Sequence, residues 1–83
     1  MELKRIRIVD GIEVASREYF NALQAVNFID QHNMEWFIKP GEDRDYDLEQ
    51  MIEHAKIIAA DKGMELTVNT CHITGYLKLG LAM

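Results

Sequence analysis

The clearest pattern of apolar and polar positions lies between residues 45 and 81. Over residues 46–62 the apolar positions recur at the spacing of one face of an α-helix. They are Leu48, Met51, Ile52, Ala55, Ile58 and Ala59. Asp47, with Gln50 three residues later, is typical of a helix N-cap, and Gly63 suits the left-handed position that follows a helix. The pattern therefore predicts a helix over residues 46–62.

The apolar period changes to two after Gly63, as in a β-strand. Apolar residues occupy first even and then odd positions: Leu66 and Val68, then Ile73, Leu77, Leu79 and Leu81. A change of parity requires a turn or a bulge, and residues 69–75 are long enough for a hairpin that turns at Gly75. The last segment, 76–83, is either a paired strand or an exposed sheet edge. The second alternative predicts a homo-oligomer through the C-terminal strand, because an exposed edge attracts a second chain.

Two β-rich runs near the N-terminus surround the dipeptide Asp10-Gly11, which is typical of a tight hairpin turn. We expect strands over residues 4–9 and Ile12–Ala15. The isoleucines of the first strand share one face and its arginines the other: Ile6 and Ile8 against Arg5 and Arg7. One side of this hairpin is therefore expected to be wet, or covered only by arginine stems.

The middle of the chain predicts a first helix over residues 17–31, with Ser16 as its N-cap and Asn33 as a left-handed stop. Its apolar stripe comprises Tyr19, Phe20, Leu23, Val26 and either Phe28 or Ile29. Residues 34–39 alternate and are rich in β formers, which predicts a short strand; the alternative is that the first helix continues to Ile38. Since Pro40 biases the residue before it toward extended backbone, no helix should pass residue 39.

Together these elements predict one α+β domain over residues 1–83, with the order ββαβαββ. Two helices packed on one face of a mostly antiparallel sheet are the economical way to bury the apolar faces. A chain of 83 residues has a modest core, which a partner or a second copy often completes.

The net charge of −5 is unevenly distributed. Residues 30–53 contain eight acids and two bases and carry −6, so the rest of the chain sums to +1. The acids are Asp30, Glu35, Glu42, Asp43, Asp45, Asp47, Glu49 and Glu53. Such a region repels phosphates, so we expect no direct nucleic-acid contact and a protein partner with a basic surface.

Five residues of this region are the predicted partner-binding site: Glu42, Asp43, Asp45, Trp36 and Tyr46. Tryptophan and tyrosine are enriched at interface hot spots, although core packing also accounts for Trp36 and Tyr46. The leading hypothesis is a small, non-enzymatic, regulatory protein that acts through protein–protein contact. In its sharper form, the protein is an inhibitor whose acids imitate nucleic-acid phosphates.

Catalytic and metal-binding patterns are weak. Cys71 and His72 are adjacent, so on a strand they point to opposite faces and do not pair as nucleophile and base. The remaining histidines lie in other elements, and His54 is expected on the helix surface, so we expect no metal site. Cofactor binding has no support, because the glycines are scattered. The alternative function is a small enzyme or enzyme subunit in which Cys71, a histidine and the acids form a site completed by a second chain.

The alternating acids Asp43, Asp45, Asp47 and Glu49 resemble the start of a calcium loop. An EF-hand loop also requires glycine at its sixth position and glutamate at its twelfth, and this chain has Leu48 and His54 there. We therefore expect these acids to favour the start of a helix instead.

The single cysteine excludes an internal disulfide and is typical of a reducing compartment. We expect neither a signal peptide nor a membrane span, because no apolar run reaches the length that either requires. The expected location is the cytoplasm.

Overall fold

The computed structural model describes residues 3–83 and contains seven elements in the predicted order. They are β1 (Ile6–Val9), β2 (Ile12–Ala15), α1 (Arg17–His32), β3 (Trp36–Ile38), α2 (Leu48–Asp61), β4 (Glu65–Thr70) and β5 (Leu77–Ala82). The α+β class and the order ββαβαββ are confirmed. Residues 34–39 contain a strand, as predicted, rather than an extension of the first helix.

The strands form two antiparallel sheets instead of one. Strands β1 and β2 pair only with each other and make a hairpin, here called the arm (residues 6–15). Its turn has positive φ at Asp10 and Gly11, 52° and 78°, as the Asp-Gly signal predicts. Both faces of the arm are wet, whereas only one was expected to be. Ile6 and Ile8 are exposed because no other element covers their face.

The second sheet has the order β3-β5-β4, so the C-terminal strand is central. Leu79 lies opposite Trp36 on one side and Val68 on the other. Of the two alternatives for the C-terminal segment, the paired strand is therefore correct. An oligomer through this strand stays a prediction, although Leu77–Leu79 already have a neighbour on each side.

The core lies between the two helices and one face of the three-stranded sheet. Helix α1 contacts β3 and β5, helix α2 contacts β4, and the helices contact each other. The largest fully buried side chains are Met51, Leu79 and Val26. Phe20, predicted in the apolar stripe of α1, is 51% exposed, because the buried face of α1 follows Ala22, Ala25, Val26 and Ile29.

The ends of the helices follow local capping. The hydroxyl of Ser16 accepts a hydrogen bond from the backbone N–H of Tyr19, and Asn33 ends α1 in the left-handed region. Asp47 is the N-cap of α2, so this helix begins at Leu48 and not at residue 46. Gly63 has the expected positive φ of 76°. In the part of the chain that the structure describes, neither helix has the length and apolarity to cross a bilayer.

Candidate functional site

The arm exposes large apolar side chains on both of its faces. Ile6 and Ile8, on one face, are 54% and 64% exposed. Ile12, opposite Val9 on the other face, is 65% exposed. A two-stranded hairpin with no further cover is only marginally stable in water. A partner that covered the arm would therefore bury apolar surface and stabilise the hairpin.

Three contacts attach the base of the arm to the helices. The backbone N–H of Ser16 donates to the carbonyl of Arg5 at 2.8 Å. The Arg5 guanidinium stacks over the Tyr19 ring at 4.8 Å and donates to its hydroxyl at 3.1 Å. Nε2 of His54 lies 3.2 Å from the carbonyl oxygen of Lys4. The base is thus held in place, and the exposed isoleucines lie beyond it.

His54 is buried, with 3% of its surface exposed, so its predicted place on the helix surface is wrong. Its ring meets Tyr19 edge to face, with centroids 5.5 Å apart. The pattern contained a signal for this position: counted from Met51, His54 and Ala55 follow at three and four residues, and Ile58 at seven. A histidine on the buried stripe requires a polar partner, and the Lys4 carbonyl provides it.

The acidic loop (residues 40–47) uses some of its acids locally. Asp45 forms an ion pair with Arg17, with Nη1 and Oδ2 3.1 Å apart. Asp47 caps α2 by accepting hydrogen bonds from the backbone N–H groups of Glu49 and Gln50, in the first turn of the helix. Within the described residues, Glu42 and Asp43 are exposed and have neither an ion pair nor a side-chain hydrogen bond.

The two aromatic members of the predicted site pack against the core. The Trp36 ring meets Phe28 edge to face, with centroids 5.4 Å apart, and Trp36 lies on the core-facing side of β3. Tyr46 is half-buried, with the Arg44 guanidinium 6.0 Å from its ring centroid. Arg44 also donates to the carbonyl of Lys39 at 2.8 Å, which holds the acidic loop closed. A binding role for these aromatic residues stays a prediction.

The base of the arm lies close to Asp45, at one end of the acidic loop. A shallow groove of about 370 Å³ lies between them, and its lining includes Lys4, Ile6, Arg7, Arg17 and Asp45. Cationic, apolar and anionic side chains therefore lie side by side here. This juxtaposition could not be read from the sequence, because residues 4–7 and 45 meet only through the packing of α1.

A larger groove, of about 840 Å³, lies on the outer face of the three-stranded sheet. Its lining is mainly apolar and includes Phe37, Tyr76, Lys78 and the exposed Cys71. Hydrogen bonds from the Thr74 hydroxyl and nearby backbone N–H groups, with a smaller contribution from Lys78, lower the pKa of the Cys71 thiol. Among the described residues, those that line this groove include no histidine, so Cys71 has no imidazole base there.

The three histidines lie in three different parts of the fold. His32 packs against Phe28 at the end of α1, His54 is in the core, and His72 is in the exposed turn before β5. Across residues 3–83, no group of three or more histidine, cysteine or acidic side chains has the geometry to hold a metal ion.

Comparisons of the chain with protein-family models, with curated proteins and with solved structures found no match. The features on which a function can be based are therefore the arm, the acidic loop and the outer groove that contains Cys71.

Proposed function

We propose that this chain is a small, non-enzymatic binding protein that acts through protein–protein contact, with the arm as its main contact element. The observation that carries this proposal is the exposure of Ile6, Ile8 and Ile12 by more than half on a hairpin held only at its base. Covering each of them stabilises a complex by roughly 1 kcal/mol or more, since full burial of such a side chain contributes about 1.5–3 kcal/mol. Together they supply the apolar centre that a specific interface requires.

The acidic loop gives this surface its charge. Glu42 and Asp43 are exposed, and among residues 3–83 neither forms an ion pair or caps a helix. Acids in this position favour a partner with a basic surface, which they attract through faster association. In the regulatory form of the proposal, the protein is an inhibitor whose carboxylates occupy a groove that otherwise binds phosphates.

The second candidate is a small enzyme or enzyme subunit, favoured by the lowered pKa of Cys71 in the outer groove. Such a site would take a histidine from a second chain, because the one acid that lines this groove among the described residues, Glu35, is paired with Lys78. Substitution of Cys71 by serine separates the two functions, because it abolishes cysteine-dependent catalysis and leaves contact through the arm unchanged.

The main test is affinity purification of the tagged chain from extracts of its native host. The free Cys71 fits a reducing compartment, so cytoplasmic extract is the material of choice. The test variant replaces Ile6, Ile8 and Ile12 by threonine, which keeps the β-branched shape and removes apolar surface. The matched control is Ile57→Thr, at an exposed isoleucine of α2 that is 51% accessible.

We expect a partner that the wild type and Ile57→Thr recover equally and that the triple variant recovers at least about tenfold less, a change equivalent to 1.4 kcal/mol. Circular dichroism checks that all three chains are folded. Recovery of the same partner in equal amounts by the triple variant would show that the arm is not the contact element.

A further inference from the structure

A small pocket lies between the segment that leads into the arm and helix α2. Its volume is about 190 Å³, and its lining combines a cation, an anion and apolar side chains. The charged residues are Arg5 and Asp61, and the apolar residues are Leu3, Ile57 and Ile58. Both signs of charge and an apolar surface are therefore available to one small occupant.

Asp61 carries its negative charge at the end of α2 that favours cations. It is the last residue of the helix, and the carboxyl end of a helix is the negative pole of its dipole. The last turn holds no basic residue, and within residues 3–83 the Asp61 carboxylate has neither an ion pair nor a side-chain hydrogen bond. An ammonium group in the pocket would therefore stabilise this end of the helix.

The Arg5 guanidinium, in contrast, is already held in place. It stacks over the Tyr19 ring at 4.8 Å and donates to the Tyr19 hydroxyl at 3.1 Å. An arginine has five N–H donors, so this bond leaves others free for a carboxylate, which arginine binds through two parallel hydrogen bonds. Because Arg5 is ordered in advance, a carboxylate that binds it loses little free energy to the ordering of this side chain.

The position of His54 places Arg5 and Asp61 toward opposite ends of the pocket. Tyr19, on which Arg5 stacks, meets the His54 ring with centroids 5.5 Å apart. Asp61 follows His54 in α2 by two turns, which is about 10 Å along a helix. A charge-assisted hydrogen bond of about 2.8 Å at each end leaves about 5 Å between the charged groups of the occupant. A compact zwitterion meets this requirement.

Charge and volume together define the class of occupant. Asp61 repels an anion, Arg5 repels a cation, and an uncharged molecule leaves both charges without a partner. The volume of 190 Å³ equals that of about six water molecules at roughly 30 Å³ each, which is too small for a nucleotide. We propose that this pocket binds a free α-amino acid with an apolar side chain. Its carboxylate lies on Arg5, its ammonium on Asp61, and its side chain against Ile57 and Ile58.

Titration of the purified chain with L-leucine, followed by two-dimensional NMR, tests the site. Three further probes each lack one feature: isocaproate lacks the ammonium, isopentylamine lacks the carboxylate, and glycine lacks the apolar side chain. We expect leucine to bind with a Kd below about 1 mM, and each of the others at least about tenfold more weakly. The shifted amide signals should belong to residues 3–5 and 54–61, which surround the pocket.

Asp61→Asn removes the charge that binds the ammonium and keeps the shape of the side chain. Leucine should bind this variant at least about tenfold more weakly, and isocaproate should bind it as well as leucine does, because the repulsion is gone. Glu65→Gln is the matched control, since Glu65 is an exposed acid close to Asp61 in sequence that does not line the pocket. Both substitutions are at exposed positions, and circular dichroism verifies that the variants are folded.

A wild type that binds no leucine at about 10 mM overturns the inference. So does an Asp61→Asn variant that retains the wild-type affinity, or any of the three other probes that binds the wild type as tightly as leucine. None of these results affects the proposed function, which the affinity experiment tests separately through Ile6, Ile8 and Ile12.

Discussion

Nε2 of His54 lies 3.2 Å from the carbonyl oxygen of Lys4 and joins the middle of helix α2 to the segment that leads into the arm. A carbonyl oxygen only accepts hydrogen bonds, so the contact requires the tautomer with hydrogen on Nε2. His54 is 3% exposed, and water has little access to replace this bond. This buried imidazole is therefore the contact that ties the arm to α2, beside the contacts of Arg5 with Ser16 and Tyr19.

The substitution His54→Leu is expected to loosen the base of the arm. It keeps an apolar side chain in the core but removes the donor to Lys4, which should lower the free energy of unfolding by roughly 1–3 kcal/mol. Hydrogen exchange at the Ser16 amide, which donates to the Arg5 carbonyl at 2.8 Å, reports on the base directly. His72→Leu, in an exposed turn, is the control and should change neither quantity. Unchanged Ser16 protection in His54→Leu would contradict this role.

The parts of the fold that the sequence predicted are those determined by local chemistry. Asp10-Gly11 specifies its own turn, and Asp47 and Asn33 specify the ends of helices, because each interaction lies within a few residues. The exposure of Ile6 was not predictable in this way. It depends on where the hairpin lies relative to α1 and α2, which no pattern within residues 4–15 contains.

In the candidate site, too, features set by local sequence could be predicted and features set by the packing of distant elements could not. Glu42 and Asp43 were predicted to contact a partner, which stays a prediction, and they are exposed in the described part of the chain without an ion pair. Trp36 was grouped with them because of its closeness in sequence. Its side chain lies on the core side of β3, and a strand of only three residues gives too short an alternation to decide between its two faces.

The two roles of acids in the acidic loop can be separated by a pair of substitutions. Asp47→Ala removes the acceptor for the backbone N–H groups of Glu49 and Gln50, at 3.0 and 3.3 Å, and should cost roughly 0.5–2 kcal/mol. Asp43→Ala removes an exposed acid without such a role and should change stability by less than about 0.5 kcal/mol. Urea unfolding measures both. Equal losses of stability in the two variants would show that the hydrogen bonds of Asp47 to the start of α2 contribute no measurable stability.

Adjacent isoleucines of α2 test the buried face of this helix. Ile58 is 9% exposed and Ile57 is 51% exposed. Ile58→Ala should lower the free energy of unfolding by about 2–4 kcal/mol through lost burial and the cavity that it leaves. Ile57→Ala should be nearly neutral, because alanine has the higher helix propensity and little burial is lost. A larger loss at Ile57 than at Ile58 would place the core on the other face of α2.

Gly80 and Thr67 lie opposite each other in the β4–β5 ladder and leave no room for a larger side chain at position 80. A Cβ added to Gly80 would approach Oγ1 of Thr67 to 2.8 Å. Since threonine is stiff at χ1, Gly80→Ala should destabilise the protein by roughly 1–3 kcal/mol. In the Thr67→Ala background the same change should cost much less. A double-mutant cycle by thermal unfolding measures the difference, and additive effects would exclude the steric explanation.

The last prediction concerns the exposed thiol in the turn before β5. The Thr74 hydroxyl donates to Cys71, and its oxygen accepts from the backbone N–H of Tyr76 at 3.3 Å. A hydrogen bond donated to sulfur stabilises the thiolate more than the thiol, so it lowers the pKa of Cys71. The rate of alkylation by iodoacetamide follows the thiolate fraction. Its midpoint should lie at lower pH than for an unperturbed cysteine, whose pKa is about 8.5.

Thr74→Val keeps the shape of the side chain and removes the donor, so the midpoint of the alkylation profile should rise toward that of a free cysteine. Thr70→Val is the matched control, because Thr70 lines the same groove but is not among the groups that lower the pKa of Cys71. High salt should raise the midpoint slightly in every variant by screening Lys78. If Thr74→Val and the wild type share one profile, the hydroxyl is not the main cause. If Thr70→Val shifts as far, the effect belongs to the whole groove instead of to this hydrogen bond.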